Sequence, residues 1–135
     1  MADIYKSAGI MIQGRKLLVE KSFNKDFYIA PGGKIDPGET GEQALVRELE
    51  EEFSVQTDEQ DFVWFGEFTA QAAGQEDRVV HMKVWIVNKW VGEPKPSSEV
   101  EKIAWVTSAN TDNLPIGSIF LHDVIPRLRD LNLID

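Results

Sequence analysis

The sequence predicts an α/β layered domain in which helices cover a mixed sheet. Three observations carry that class. About six stretches have strand composition, two have helical character, and no repeat, low-complexity tract or linker long enough to separate domains interrupts them. At 135 residues the chain, 1–135, is expected to form a single domain around one core, since domains cluster at about 100 to 150 residues.

Residues 4–12 ("IYKSAGIMI") and 16–21 ("KLLVEK") are short β-rich runs that meet around Gln13-Gly14, which predicts a hairpin. Residues 26–30 ("DFYIA") form a third run, closed by Pro31-Gly32-Gly33. Thr40 followed by Gln43 fits a capping box, and Pro37-Gly38 supplies the turn before it, so a helix is expected over 40–53. Residues 62–70 and 78–90 return to strand composition, with the charged "GQEDR" between them as a turn. The stretch 92–102 reads as a surface loop, and 102–106 as one more strand. Residues 116–131 predict a closing helix in which Pro126 marks a kink or the first turn. The tryptophans at 64, 85, 90 and 105 fall on strand segments and are core candidates, while His81 and His122 stand apart from any catalytic pattern and read as packing or surface residues.

Composition narrows the function. Lys and Arg number 14 against 23 Asp and Glu, a formal charge of −9 that argues against nucleic acid or an anionic membrane as a partner. A small anionic substrate would then need a local cation. There is no cysteine, which removes disulfides, thiolate metal sites and cysteine nucleophiles. No apolar run has the length of a membrane span and the N-terminus lacks the layout of a signal peptide, so a cytoplasmic protein is the expectation.

The charge is unevenly placed. "RELEEEFSV" (47–55) puts four glutamates into five positions. On a helical wheel Leu45, Val46, Leu49 and Phe53 form the core stripe, while Glu48, Glu51 and Glu52, spaced i, i+3 and i+4, share a second face; Glu50 points elsewhere. Like charges at that spacing cost a few tenths of a kcal/mol per pair, and acids in the last turn oppose the helix dipole by about 0.3 to 1 kcal/mol each. Arg47 pairs with Glu51 at i+4 but cannot neutralise three acids. The face continues N-terminally into Gly41 and Ala44, small enough for a ligand or a loop backbone to approach. A solvated stripe is the plain alternative. Carboxylates clustered without His or Cys are otherwise hard oxygen ligands of the kind that hold Mg²⁺, Mn²⁺ or Ca²⁺, and the spacing does not match a calcium-binding EF-hand loop.

Residues 33–55, "GKIDPGETGEQALVRELEEEFSV", resemble the Nudix box of Nudix hydrolases: Gly, five residues, Glu, seven residues, Arg-Glu, an aliphatic residue, any residue, Glu-Glu, any residue, Gly, aliphatic. Gly33, Glu39, Arg47, Glu48, Leu49, Glu51, Glu52 and Val55 fill eight of the nine specified positions. Ser54 stands where the family has glycine, at a point where the chain often turns left-handed; a loss of about 1 kcal/mol or a different helix exit is expected. "FYIAPGG" and "SSEVEKIAWV" are similar to the family's flanking segments. The resemblance implies the Nudix α/β/α sandwich, a mixed β-sheet flanked by helices.

The resemblance also implies Mg²⁺-dependent hydrolysis of a pyrophosphate bond in a nucleoside di- or triphosphate or a nucleoside diphosphate derivative, in nucleotide-pool sanitising or housekeeping, with Mn²⁺ as a substitute cation. Glu48 and Glu52 are then the principal metal ligands, Glu51 a ligand to a further ion or through water, and Gly32 a ligand through its carbonyl. Arg47 orients the glutamates, and Gly33 and Glu39 brace the box. The general base is Glu52, Glu99 or Glu101, with Glu99 favoured by its place six residues before Trp105. Tyr28, Lys21 and Lys34 are candidate substrate contacts, against ordinary core and solvated roles. In MutT-type purine sanitisers an asparagine after a proline-containing stretch helps read the base; the comparable "NLPIGSIF" offers Gly117 and Ser118, which argues against an oxidised-guanine preference. Homodimers occur in the family and are compatible with this sequence. Two other readings stay open: a Nudix-fold nucleotide-binding or sensor domain without turnover, and an acidic structural module without a ligand.

Overall fold

The computed structural model describes residues 3–72, 75–109, 114–117 and 119–135, the side chains of residues 72, 75 and 76 excepted. Ser118 and Gly74 lie outside the described residues. Four strands, β1 (Ile4–Ile10), β4 (Gly32–Lys34), β5 (Phe62–Ala72) and β6 (Gln75–Val87), form one sheet in the order β4-β1-β6-β5. Three more, β2 (Ile12–Gln13), β3 (Lys16–Ser22) and β7 (Val100–Val106), form a second in the order β2-β3-β7. β1 and β6 run parallel and the other paired strands antiparallel, so the first sheet is mixed.

Side-chain alternation sorts these strands onto two cores. Ala8, Ile10, Leu17, Val19 and Val84 pack with Phe120, Val124, Ile125 and Leu128 of the C-terminal helical segment. One residue over, Met11, Leu18, Trp85 and Val87 pack against Leu45, Leu49 and Phe53 of helix α1 (Gly41–Phe53). A strand's two-residue period aims successive side chains at opposite faces, so apolar residues in a row demand a helix on each side. The result is an α/β/α sandwich.

α1 begins as the sequence dictates. Gln43 N–H donates to Thr40 Oγ1 at 3.1 Å, and Thr40 N–H to Gln43 Oε1 at 2.9 Å. Gly41 and Ala44 are buried, but not beneath a ligand: Ser7 Oγ donates to the Gly41 carbonyl at 2.7 Å, and a Cβ at Gly41 would stand 2.4 Å from Trp85 Cη2. Their small size admits Trp85 and β1. At the other end, Ser97 Oγ donates to the Glu51 carbonyl at 2.6 Å, Ser97 N–H to Glu52 at 2.9 Å and Lys95 N–H to Phe53 at 3.1 Å. The loop before β7 thus satisfies carbonyls that a helix C-terminus leaves open.

Several expectations shift. Residues 26–30 make only isolated bridges, Ile29 to Glu20 and Tyr28 to Ile116, because the ladder beside β1 is taken by Gly32–Lys34. Within "GQEDR", Gln75, Glu76 and Asp77 belong to β6. Trp64 is 53% exposed on the outer strand β5, touching Trp85 edge-on, and is not core. The closing helix is shorter: a π-helical turn (Phe120–Val124) runs into α2 (Ile125–Asp130), and Pro126 stands directly after the π turn, inside one continuous helical run.

Ser54 caps α1 at φ 59°, ψ 30°, the left-handed conformation expected for the position. A Cβ costs about 1 kcal/mol or more there. Ser54→Gly is expected to raise the melting temperature by about 2 to 5 °C; a scan of the two proteins checks it, and an unchanged or lower value contradicts the strain.

Candidate active site

Two glycines set the site's geometry. Gly32 has φ +142°, and a Cβ there would lie 2.0 Å from the Ser7 carbonyl oxygen, so only glycine lets β4 close against β1. Its N–H donates to Glu52 Oε1 at 3.2 Å. A Cβ on Gly33 would sit 2.5 Å from Glu48 Cδ, so the missing side chain leaves room for that carboxylate. Glu48 and Glu52, one turn apart on α1, therefore face the Gly32-Gly33 backbone.

Arg47 ties the neighbourhood together. Nε and Nη2 donate to Glu39 Oε2 and Oε1 at 2.8 and 2.9 Å, Nη2 also to the Lys34 carbonyl at 3.1 Å, and Nη1 to Glu48 Oε1 at 2.8 Å and Glu51 Oε2 at 3.5 Å. Glu39 in turn accepts the Asp36 N–H at 2.9 Å. The Arg47 fork, helped by that N–H, holds the Glu39 carboxyl at about 2. The planar guanidinium thus binds the turn before α1 to the last turns of the same helix. Glu50 and Glu51 are exposed.

Burial rises across the cluster. Glu48 is half-buried and its pKa lies above the usual carboxylate range, burial outweighing the opposing pull of Arg47. Glu52 is 8% exposed and also pushed up, by burial first and Glu48 second. Beside it lies Glu20 of β3, fully buried at 0% exposure, with its pKa driven up by burial and by Glu52. The sequence reading passed over Glu20. Its signal was legible: Leu17, Leu18 and Val19 are apolar in a row and buried on both faces, so the next residue is still inside, on the face of Leu18 and α1.

Among the described residues no group of three carboxylates or imidazoles already surrounds a common point. The glutamates turn instead toward Arg47 and the Gly32 N–H. The donor set nevertheless fits a hard divalent cation: it is all oxygen, the glycine backbone is unobstructed by Cβ atoms, and neither oxygen of Glu20 has a hydrogen-bond partner.

A cavity of about 480 Å³ opens on the other face of β1, lined by apolar residues including Phe27, Ile29, Met82, Ile119 and Phe120, with Gly117 at one wall. Lys6 and Lys25 also line it, and no carboxylate does among the described residues. Burial, then the charges of Lys25 and Lys34, lower the Lys6 pKa, while Glu20 and Glu52 oppose the shift. Lys34, paired with Lys6 in the β1–β4 register, is exposed. This lysine group supplies a local positive charge within a chain of net charge −9. Lys6 and Lys25 were not singled out from sequence, because nothing in their spacing marks them.

The remaining candidates separate. Glu99 is exposed on the loop tied to α1, and its charge is felt by Glu52. Lys21 Nζ is paired with Glu101 Oε1 at 2.5 Å. Tyr28 is buried in the core and does not line the cavity, which corrects the stacking role; Phe27 is the aromatic there. His81 stacks on Tyr5 and pairs with Asp3 at 2.9 Å, away from the glutamates, and His122 is exposed.

The family model described as NUDIX domain matches residues 5–128. The 8-oxo-dGTP diphosphatase of Escherichia coli is 38% identical over 103 residues, 75% of this chain and 73% of that protein. The CTP pyrophosphohydrolase of the same organism is 27% identical over 108 residues, 77% of this chain and 75% of that protein. The MutT protein from Methanosarcina mazei superposes with a TM-score of 0.77 at 18% identity, covering 97% of this chain and 96% of the other, a likeness of fold. No described helix is long and apolar enough to cross a membrane.

Gly33→Ala tests the backbone cradle. The new Cβ meets the flexible end of Glu48, so folding is expected to survive while Glu48 is pushed aside and divalent-cation affinity falls about tenfold or more; calorimetric titration with Mn²⁺ reads it, and unchanged affinity contradicts the cradle.

Proposed function

Because the chain belongs to the Nudix hydrolase family, we propose that it hydrolyses a pyrophosphate bond of a nucleoside triphosphate or a related nucleoside diphosphate derivative, with Mg²⁺ at the acidic end of α1. The observation that carries this reading is the adjacency of two unlike sites. Buried oxygen donors stand on the α1 side of β1 and β4, and an apolar cavity with lysines at its wall lies across the strand. A nucleoside needs the second and a pyrophosphate the first.

Nudix hydrolases generally use a divalent metal; when bound, such an ion offsets charge on the pyrophosphate oxygens and makes a water more acidic. Glu48, Glu52 and the Gly32 carbonyl are the residues assigned to hold it, with Glu51 reaching through water. Arg47 keeps Glu48 in place by spending its other donors on Glu39 and the Lys34 carbonyl. Glu99 is assigned to take the proton of the attacking water, supported by its loop, whose Ser97 is bonded to the Glu51 and Glu52 carbonyls. Lys6, Lys25 and Lys34 meet phosphate oxygens at the mouth of the cavity, whose apolar walls exclude water from the nucleoside.

The relatives named for 8-oxo-dGTP and CTP point to triphosphates as the first substrates to assay. Gly117 lines the cavity without a side chain to read a base edge, which favours tolerance over strict selection of oxidised guanine. The test is a hydrolysis screen of 8-oxo-dGTP, dGTP, CTP and ADP-ribose with Mg²⁺, for the wild type and Glu52→Gln. A triphosphate is expected to be cleaved, with turnover down about 100-fold or more in the folded variant. No cleavage by the wild type, or an unchanged rate in Glu52→Gln, overturns the reading.

Lys6→Met separates binding from chemistry. Losing a charge-assisted contact to phosphate is expected to raise KM about tenfold or more with kcat nearly unchanged; steady-state kinetics on the best substrate check it, and an unaltered KM removes Lys6 from the binding site.

A further inference from the structure

Glu20 lies outside the Nudix box, on β3, yet its side chain comes to rest against a box residue. It is fully buried, and neither Oε1 nor Oε2 meets a hydrogen-bond donor among the described residues. The polar group beside it is the Glu52 carboxyl, with which Glu20 can hydrogen-bond only when one of the two carries a proton; Glu52 also accepts the Gly32 N–H. Lys6 exerts a Coulombic pull on both acids, but its ammonium donates to neither. Arg47 is occupied by Glu39, Glu48 and Glu51. A buried carboxylate without a donor is strongly disfavoured, and two in contact more so. Without metal the two carboxyls are reconciled only by a hydrogen bond shared between them, which a divalent cation seated between them would replace. Nothing in the packing requires an acid at this position: Leu18, on the same face of β3, is an ordinary core residue.

We propose that Glu20 is a further carboxylate of the divalent-cation site, acting with Glu52 from the strand side while the box residues act from the helix side. The inference rests on the reading that the box glutamates hold the cation. Glu20 would raise affinity for the metal at the expense of the metal-free fold, so the two effects have opposite signs in one variant.

The experiment compares wild type, Glu20→Gln, Glu20→Leu and Glu52→Gln, each folded by circular dichroism, by titration with Mn²⁺ alone and by melting with and without Mg²⁺. Both Glu20 variants are expected to melt at or above the wild-type temperature without metal, to gain less than half the wild-type increment from Mg²⁺, and to bind Mn²⁺ at least about tenfold more weakly. Using two replacements keeps the test open if one of them packs badly. Wild-type affinity and Mg²⁺ increment in the Glu20 variants, with both lost in Glu52→Gln, overturn the role of Glu20 and leave the box site standing. Loss of metal-free stability in both Glu20 variants with unchanged Mn²⁺ affinity makes Glu20 a structural acid and also overturns it. Absence of Mn²⁺ binding by the wild type removes the underlying reading instead.

Discussion

The rest of the structure turns on acidic side chains held out of water beside one another. Glu52 and Glu20 are packed between α1 and β3, Glu48 is half-buried next to them, and one backbone N–H, that of Gly32, serves Glu52. Such crowding raises the energy of every carboxylate in it, and the protein tolerates this only because neighbouring contacts leave no room for relaxation. Arg47 is the largest of those constraints. By gripping Glu39 with two donors it ties the turn before α1 to the helix face that carries the acids.

The fold supplies the other constraints through its least conspicuous residues. Gly32 lets β4 approach β1 and aim an N–H at Glu52; Gly41 lets Trp85 wedge under the first turn of α1, fixing the helix against the sheet. Ser97 and Lys95 then fasten the far end of α1 to the loop before β7, which brings Glu99 toward the same carboxylates. A helix pinned at both ends cannot slide to separate its glutamates. Across β1 the cavity has Lys6 and Lys25 at its wall, so a polyanion entering from solvent meets attraction there despite the chain's net charge of −9.

Much of this could be read from residue order. The capping box at Thr40 and Gln43, the i, i+3, i+4 acids, the Leu45-Val46-Leu49-Phe53 stripe and the left-handed exit at Ser54 are local patterns, and the structure realises them except that Val46 is only half-buried and outside the core. Arg47 and Glu39 sit eight residues apart on a turn and its helix, close enough for spacing to pair them. What stayed hidden depends on contacts between distant strands. Glu20 is marked as buried by its place after Leu17-Leu18-Val19, but its neighbour Glu52 appears only when β3 meets α1; Lys6 stands out only when β1 borders the cavity, and the Lys21–Glu101 pair only when β7 joins β3. Tyr28 and Trp64 exchanged expectations for a similar reason: an aromatic in a β-rich run gives no sign of whether its strand lies inside the sheet or at its edge.

The central claim is that the buried carboxylates form one cation site finished by a divalent metal. Crystals grown with Mn²⁺ and measured at its absorption edge test it most directly, because the anomalous signal locates the ion independently of activity. The account predicts a peak bounded by Glu48, Glu52 and the Gly32 carbonyl, with the Glu20 carboxylate turned toward it. Ordered protein with no peak at that position, or manganese only at the exposed Glu51, would contradict it.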